Sequence, residues 1–476
     1  MEKKNLVRTL TLSQVVFLGI AWNNPMVFFN TYGIAAVTSH GVITGAYIIA
    51  FLAILFTALS YGKMAKAYPI SGSAYTFTQK SINPEVGFLV GWTIMLDYIL
   101  TPMVTCLMST VFLHAVFPEI PHYVWIILLT AIIVIPSILG VTISASASKI
   151  FVIAQIIFVC FFWILTAKSL LEGIGTGTFL SSEPLFNSDV PLSAILAGAS
   201  LLCFSFLGFD SLTTLSEETI DPEKTIPKAI IIMLLFIGVL YIGSSYLAQL
   251  VYPGFSFEHP DSAAIEITIL VGGNLFKSLF ITAVIVGNFS SGVAAITSAS
   301  RVLYAMGRDS VLPKSLFGYI HPKFKTPSHG IIVIGIISLL GILLTLEQVI
   351  KFINFGGLIA FTSVNLSVIA HYFIRNQKRS FNDCIRYLCL PLIGAAFTMW
   401  LWSYLEREAL ILGGIWIACG LSYLLYMTKF FRKPLPEFHF DEEIIPQEAE
   451  DIDDKIFPQM VEDVNGKILP QKVEDL

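Results

Sequence analysis

Apolar residues in this chain come in long runs, not in the short alternations of strands or the one-sided stripes of surface helices. Twelve runs stand out, near 12–37, 43–62, 84–115, 122–142, 147–167, 191–216, 229–252, 274–300, 330–346, 348–374, 387–404 and 409–428. Uncharged apolar stretches of about 18 residues or more are long enough to cross a bilayer, where a helix satisfies its own backbone groups. The pattern predicts an all-α membrane protein of about twelve transmembrane helices, with residues 10–430 as one membrane domain with short loops. Residues 1–9 form a short N-terminal segment ahead of it. Residues 431–476 are polar and acidic with no long apolar run, which predicts a disordered tail. Within the tail, Ile-Ile-Pro446-Gln, Ile-Phe-Pro458-Gln and Ile-Leu-Pro470-Gln recur every twelve residues.

Two of the runs are interrupted. The first breaks at Gly19-Ile-Ala21-Trp22-Asn23-Asn24-Pro25, and the sixth at Ser205-Phe206-Leu-Gly208-Phe-Asp210-Ser211. Five spans separate these positions, so the sixth helix would repeat the first with inverted topology. Paired Gly/Pro-interrupted segments at corresponding places are the best sequence pointer to a secondary transporter's binding site. Unwound backbone exposes N–H and C=O groups that lipid penalises and a polar solute satisfies. Half-helix ends add partial charge. A proline kink and a glycine packing position would produce the same pattern without a site.

Composition agrees with a membrane chain: 476 residues, 55% hydrophobic and only 13% charged, against about a quarter charged in soluble domains. The loops give orientation. With the N-terminus in the cytoplasm, 21 Lys and Arg near span ends fall inside, and only Lys168, Lys277, Lys351 and Arg407 fall outside. Both termini are therefore expected in the cytoplasm of a plasma-membrane protein. The first run carries polar residues in its middle and lacks a small-residue cleavage site, so it reads as a retained helix. Six cysteines lie in or beside spans without a CxxC pair, the pattern of free buried thiols. The net charge of −5 reflects the acidic tail and points to no nucleic-acid partner.

Ionisable groups at bilayer depth are few, and each is a functional candidate. Asp210 sits inside the second break, suited to hold an ammonium group or to exchange a proton. Asp97 lies in the third span, in Leu96-Asp97-Tyr98; with Asp210 it would grip both ends of a diamine, and otherwise it would bond within the scaffold. Glu217 and Glu218 follow at the cytoplasmic end of the sixth span, as gating or loop residues or as part of the solute path. Trp22, Tyr98, Phe206 and Phe209 lie near the breaks, where aromatic faces attract cations. Gln155, in the fifth span, is expected to bond across helices. His114 and His371 have no ligand-type neighbour in sequence, so neither a metal nor any other cofactor is indicated. There is no Walker A loop, HExxH or GxSxG, so no ATP-driven or hydrolytic chemistry is encoded.

Several segments carry a resemblance. They include Tyr68-Pro-Ile-Ser-Gly72-Ser-Ala-Tyr75, Phe204-Ser-Phe-Leu-Gly208-Phe-Asp210 and Ser300-Arg301-Val-Leu-Tyr-Ala-Met-Gly307-Arg308-Asp309 with the later Leu312-Pro313 and Thr326-Pro327. Together they resemble the amino acid–polyamine–organocation permease superfamily over about residues 8–430. Leu59-Ser-Tyr-Gly-Lys63, Leu96-Asp97-Tyr98, Thr214-Leu-Ser-Glu-Glu-Thr219 and Ile353-Asn-Phe-Gly356 look most like bacterial putrescine importers. The resemblance implies a LeuT-like 5+5 inverted repeat with broken helices 1 and 6, two further C-terminal helices, and proton-driven uptake. Amino-acid-binding relatives usually have a Gly-Ser-Gly-like first break whose bare amides grip a carboxylate. Here Ala21-Trp22-Asn23-Asn24-Pro25 is bulkier, which argues against that pose.

The reading is a secondary transporter, not an enzyme, carrying a small cationic amine such as putrescine by alternating access. Its substrate would lie against Ala21–Asn24, Asp97, Tyr98, Ser205, Phe206, Gly208 and Asp210. Asp210, Glu217 and Glu218 would serve proton coupling or gating. An amino acid permease or an amine/amino acid exchanger is the alternative.

Overall fold

The computed structural model describes residues 8–70, 72–140, 145–216, 218–308, 312–430 and 432, with two short strands beyond them. The chain divides into two units, 1–440 and 441–476. In the first, a broken pair, α1 (Leu12–Asn23) and α2 (Val27–Thr38), precedes α3 (Ile43–Ala67), α4 (Ser73–Ser81), α5 (Pro84–Val116), α6 (His122–Ile138) and α7 (Ala145–Leu171). Then come α8 (Leu192–Leu202), two 3₁₀ stretches at Cys203–Phe206 and Asp210–Leu215, α9 (Pro222–Val251) and α10 (Ala263–Arg308). The last are α11 (Lys314–Phe317), α12 (Ser328–Ser338), α13 (Leu346–Val368), α14 (Phe381–Cys384), α15 (Leu390–Trp402) and α16 (Arg407–Met427).

Among the described residues, nine helices are long and apolar enough to cross a membrane, ten counting α1 and α2 as one span bent by 46°. His122–Ile138 and Ser328–Ile342 are apolar but shorter. Burial is asymmetric in a way water would not tolerate. Ile150, Ile157 and Ile164, each two turns from the next along α7, are 65%, 62% and 63% exposed. An apolar stripe of that kind needs lipid, not solvent, against it.

The helix ends follow local chemistry. At α5, Asn83 accepts the Glu85 and Val86 amides at 2.7 and 3.2 Å, and Pro84 occupies a first-turn position that needs no N–H. Inside, α3 packs on α8 and α9, while α5 packs on α10 and α13. Small residues set these approaches: at Gly356 in α13 a Cβ would stand 2.4 Å from the Thr93 carbonyl of α5. One buried cluster joins Phe28, Tyr47, Leu202, Ile237 and Phe361. A second, with Phe88, Ile133, Ile296, Ile331 and Leu424, ties α5 to α6, α10, α12 and α16.

Several elements differ from the sequence expectation. The segment between the second and third spans holds a helix, α4, because Ser73, Ala74, Phe77 and Thr78 find a buried face against α5. α10 is two helices joined at a kink at Gly273 (φ 67°, ψ −165°), the second beginning where the expected span begins and running on to Arg308. π-helical turns at Ile369–Arg375 and Ile385–Cys389 extend α13 and lead into α15. All six cysteines are free, as expected, but only Cys106 and Cys203 are buried by protein; Cys160, Cys389 and Cys419 are exposed and Cys384 is intermediate.

Most of the tail lies outside the described residues. Within it, Met460–Glu462 pairs antiparallel with Ile468–Pro470, with Met460 opposite Pro470.

Candidate substrate site at two broken helices

The first break is held open by its own asparagines. Asn24 has φ 53°, a left-handed conformation that Asn tolerates better than most residues. Its Oδ1 accepts the Met26 amide at 3.1 Å and its Nδ2 donates to Asn288 Oδ1 at 3.1 Å. Asn23 spends both ends of its amide: Nδ2 donates to the Leu207 carbonyl at 2.9 Å, and Oδ1 accepts the Tyr241 hydroxyl at 2.8 Å. Tyr241 also reaches the Asn23 and Asn24 carbonyls at 3.3 and 3.2 Å. A phenol from α9 thus meets the carbonyls at the end of α1, of which the Asn24 carbonyl also accepts the Val27 amide at 2.9 Å.

The second break has the same logic. Asn354 of α13 donates to the Ser200 and Leu201 carbonyls at 2.9 and 3.0 Å, capping α8 from outside. The chain then extends through Leu207 (ψ 142°) and turns at Gly208 (φ +113°). It resumes as a 3₁₀ helix because hydroxyls take the i−3 carbonyls. Ser211 donates to Gly208, Thr213 to Asp210, Thr214 to Ser211 and Ser216 to Thr213, each at 2.6 Å.

Gly208 is where the two breaks touch. A Cβ there would stand 2.5 Å from Trp22 Cδ1. The Trp22 indole meets Tyr98 of α5 edge-on, with ring centroids 6.3 Å apart. Asp210 is buried, and its Oδ1 accepts the Gly208 amide at 3.2 Å. Asp97, half-buried, accepts the Thr101 hydroxyl at 2.8 Å. Pro102 has no N–H to give the Tyr98 carbonyl four residues back. The Asp97 and Asp210 side chains lie within electrostatic reach of each other, and both reach Tyr61 and Tyr98. Among the described residues neither carboxylate forms an ion pair.

The other sequence candidates separate. Ser205 lies 3.4 Å from the Thr31 hydroxyl, which also meets Tyr47 at 3.2 Å. Phe206 packs into an aromatic group of Tyr47, Phe51 and Tyr241, while Phe209 packs on Tyr61 and Phe361. Ala21 is partly buried at the end of α1. Glu218 is half-buried, and its carbonyl accepts the Thr9 and Leu10 amides at 2.9 Å. Its backbone therefore anchors the segment that leads into α1. Glu217 lies outside the described residues. Gln155 borders Gly287 of α10, and its Oε1 has no partner among the described residues.

Three residues at the site gave no direct sequence signal. Tyr61 of α3 is fully buried; its hydroxyl lies beside Ser73 without hydrogen-bond geometry, and neither has a partner among the described residues. Tyr241 and Asn354 cap the breaks from helices distant in sequence. For Tyr241 a polar residue inside an apolar run was the only hint, whereas Tyr61 and Asn354 lie within the stretches that carry the family resemblance. Lys351, placed from sequence at the outer end of the tenth span, lies buried in α13. It pairs with Glu347 at 2.6 Å and with Glu406 at 2.5 Å.

A helical membrane unit whose two broken helices meet at one glycine, beside two carboxylates without ion partners among the described residues, has the construction of a solute carrier. Residues 13–426 match the amino acid permease family. The chain belongs to that family and is a multi-pass membrane transporter, not an enzyme. It is 42% identical over 441 residues to the low-affinity putrescine importer PlaP of Escherichia coli K12, covering 92% of this chain and 97% of that one. It is 28% identical to the branched-chain amino acid permease BcaP of Bacillus subtilis, over 90% and 94% of the two chains. The methylthioribose transporter of the same organism is also 28% identical, over 90% and 95%.

Proposed function

We propose that this chain imports putrescine across the plasma membrane by alternating access around the two breaks. The identity to PlaP along nearly the whole of both chains carries this reading. The chemistry supports it. Two carboxylates within reach of each other repel across a site of low dielectric, and a diamine neutralises both at once. In this account Asp210 holds one ammonium group and Asp97 the other, with Trp22 and Tyr98 offering aromatic faces. Ala21, Ser205, Phe206 and Gly208 shape the walls, and Asn23 and Asn24 keep the first break open.

The finer architecture follows the same reading. Twelve spans form a LeuT-like 5+5 inverted repeat with two helices added, and both termini face the cytoplasm. A proton is the coupling ion, with Asp210, Glu217 and Glu218 as its carriers or gates. The first break supports a diamine over an α-amino acid, because both ends of the Asn23 amide are already engaged.

The test is uptake of labelled putrescine, arginine and serine into liposomes holding the purified chain, with and without an inward proton gradient. Saturable putrescine uptake enhanced by the gradient is expected. Serine uptake without putrescine uptake would overturn the diamine reading. Asp210→Asn removes one partner of a buried charge contact, a loss of about 2–5 kcal/mol, and should reduce uptake below detection in a folded protein.

A further inference from the structure

Away from the breaks, cations gather where α3 and α13 end and the chain leads into α15. Lys63, near the end of α3, donates to the Arg386 carbonyl at 2.5 Å. The Tyr372 hydroxyl donates back to the Lys63 carbonyl at 3.1 Å. The Tyr372 and Tyr387 rings stack 4.4 Å apart and 14° from parallel. The Lys378 ammonium lies over both, 5.3 and 5.7 Å from their centroids, and Lys63 lies 5.9 Å from that of Tyr387. The two tyrosines come from the two π-helical turns, a distortion often found at functional sites.

Among the described residues, none of Lys63, Lys378 and Arg386 is in an ion pair. The one acid between Asn376 and Leu390 is Asp383, and it accepts the Ser380 hydroxyl at 2.8 Å. Arg375 is different, since it spends its guanidinium on the Lys80 and Ile82 carbonyls. Beside the cations, Ile374, Phe381 and Ile385 stand 59%, 82% and 41% exposed. Such side chains suit hydrocarbon. A free phosphate would leave them in water, and so would a soluble phosphopeptide.

We propose that Lys378 and Arg386 bind the phosphate of an anionic phospholipid headgroup beside the Tyr372–Tyr387 stack, with Lys63 tying the Arg386 backbone to α3 and the exposed apolar residues meeting its acyl chains. The site lies apart from the breaks, so lipid binding and substrate identity stand or fall separately.

The full chain is placed in phosphatidylcholine nanodiscs with a minor fraction of phosphatidylglycerol, and lipid retained by the protein is counted. The wild type should enrich phosphatidylglycerol. Lys378→Gln with Arg386→Gln should lower that enrichment by about fivefold per charge removed. Lys378→Arg should keep it, and so should Lys168→Gln on the opposite side. Thermal unfolding in pure phosphatidylcholine checks that each variant is folded. If the double variant does not fold, Lys378→Gln alone carries the test. Unchanged enrichment in the charge-removing variant overturns the proposal. So does displacement of the lipid by millimolar inorganic phosphate, or stronger binding of an acidic phosphopeptide.

Discussion

Replacing Gly208 by alanine tests the contact on which the two breaks depend. The backbone there has φ +113°, and an L-residue in that region is strained by about 1–2 kcal/mol. The added methyl would stand 2.5 Å from Trp22 Cδ1, well inside van der Waals contact. Forcing a packed side chain aside costs about 1–3 kcal/mol. Together the two effects destabilise this arrangement by about 2–5 kcal/mol. Trp22 is also the edge-on partner of Tyr98, so a displaced indole disturbs the wall of the proposed substrate site. A shift of about 1.4 kcal/mol is a factor of ten in an equilibrium constant, so uptake should fall at least tenfold. The assay is initial uptake of labelled putrescine in liposomes, beside thermal unfolding in detergent. Adding Trp22→Phe to Gly208→Ala should restore part of the lost stability, because the smaller ring withdraws the clashing edge. Wild-type uptake and an unchanged unfolding temperature in Gly208→Ala would refute both the contact and its role.

Tyr61→Phe removes a buried hydroxyl without a partner among the described residues, so stability should hold or rise slightly while the apparent KM for putrescine increases. An unchanged KM would show that the hydroxyl does not face substrate. Asn354→Ala leaves the Ser200 and Leu201 carbonyls without their donor and should cost about 1–3 kcal/mol, read as a lower unfolding temperature; no change would mean that other groups cap α8. Lys351→Met strands Glu347 and Glu406, whose side chains are 38% and 60% exposed. Solvent screening limits the loss to about 1–2 kcal/mol, and raised salt should narrow the gap from wild type if charge is the cause.

Hydrophobic pattern alone determined that this chain crosses a membrane many times, because a charge-free run of that length has no other stable environment. It also located both breaks, since Pro25 and Gly208 are local breakers whatever surrounds them. The acids at bilayer depth were legible for the same reason: their cost is set by depth. The partners were not. Nothing in the sequence joins Asn23 to Leu207, Tyr241 to the end of α1, or Asn354 to the end of α8; these bonds link residues 153 to 218 positions apart. Nor does a run of apolar letters reveal that Tyr61 lies within electrostatic reach of the acids, or that Lys351 is buried between two glutamates. Helix periodicity says which residues share a face, but only packing chooses the neighbour that the face meets. The meeting of the two breaks at Gly208, where the lack of a Cβ admits Trp22, was decided in three dimensions.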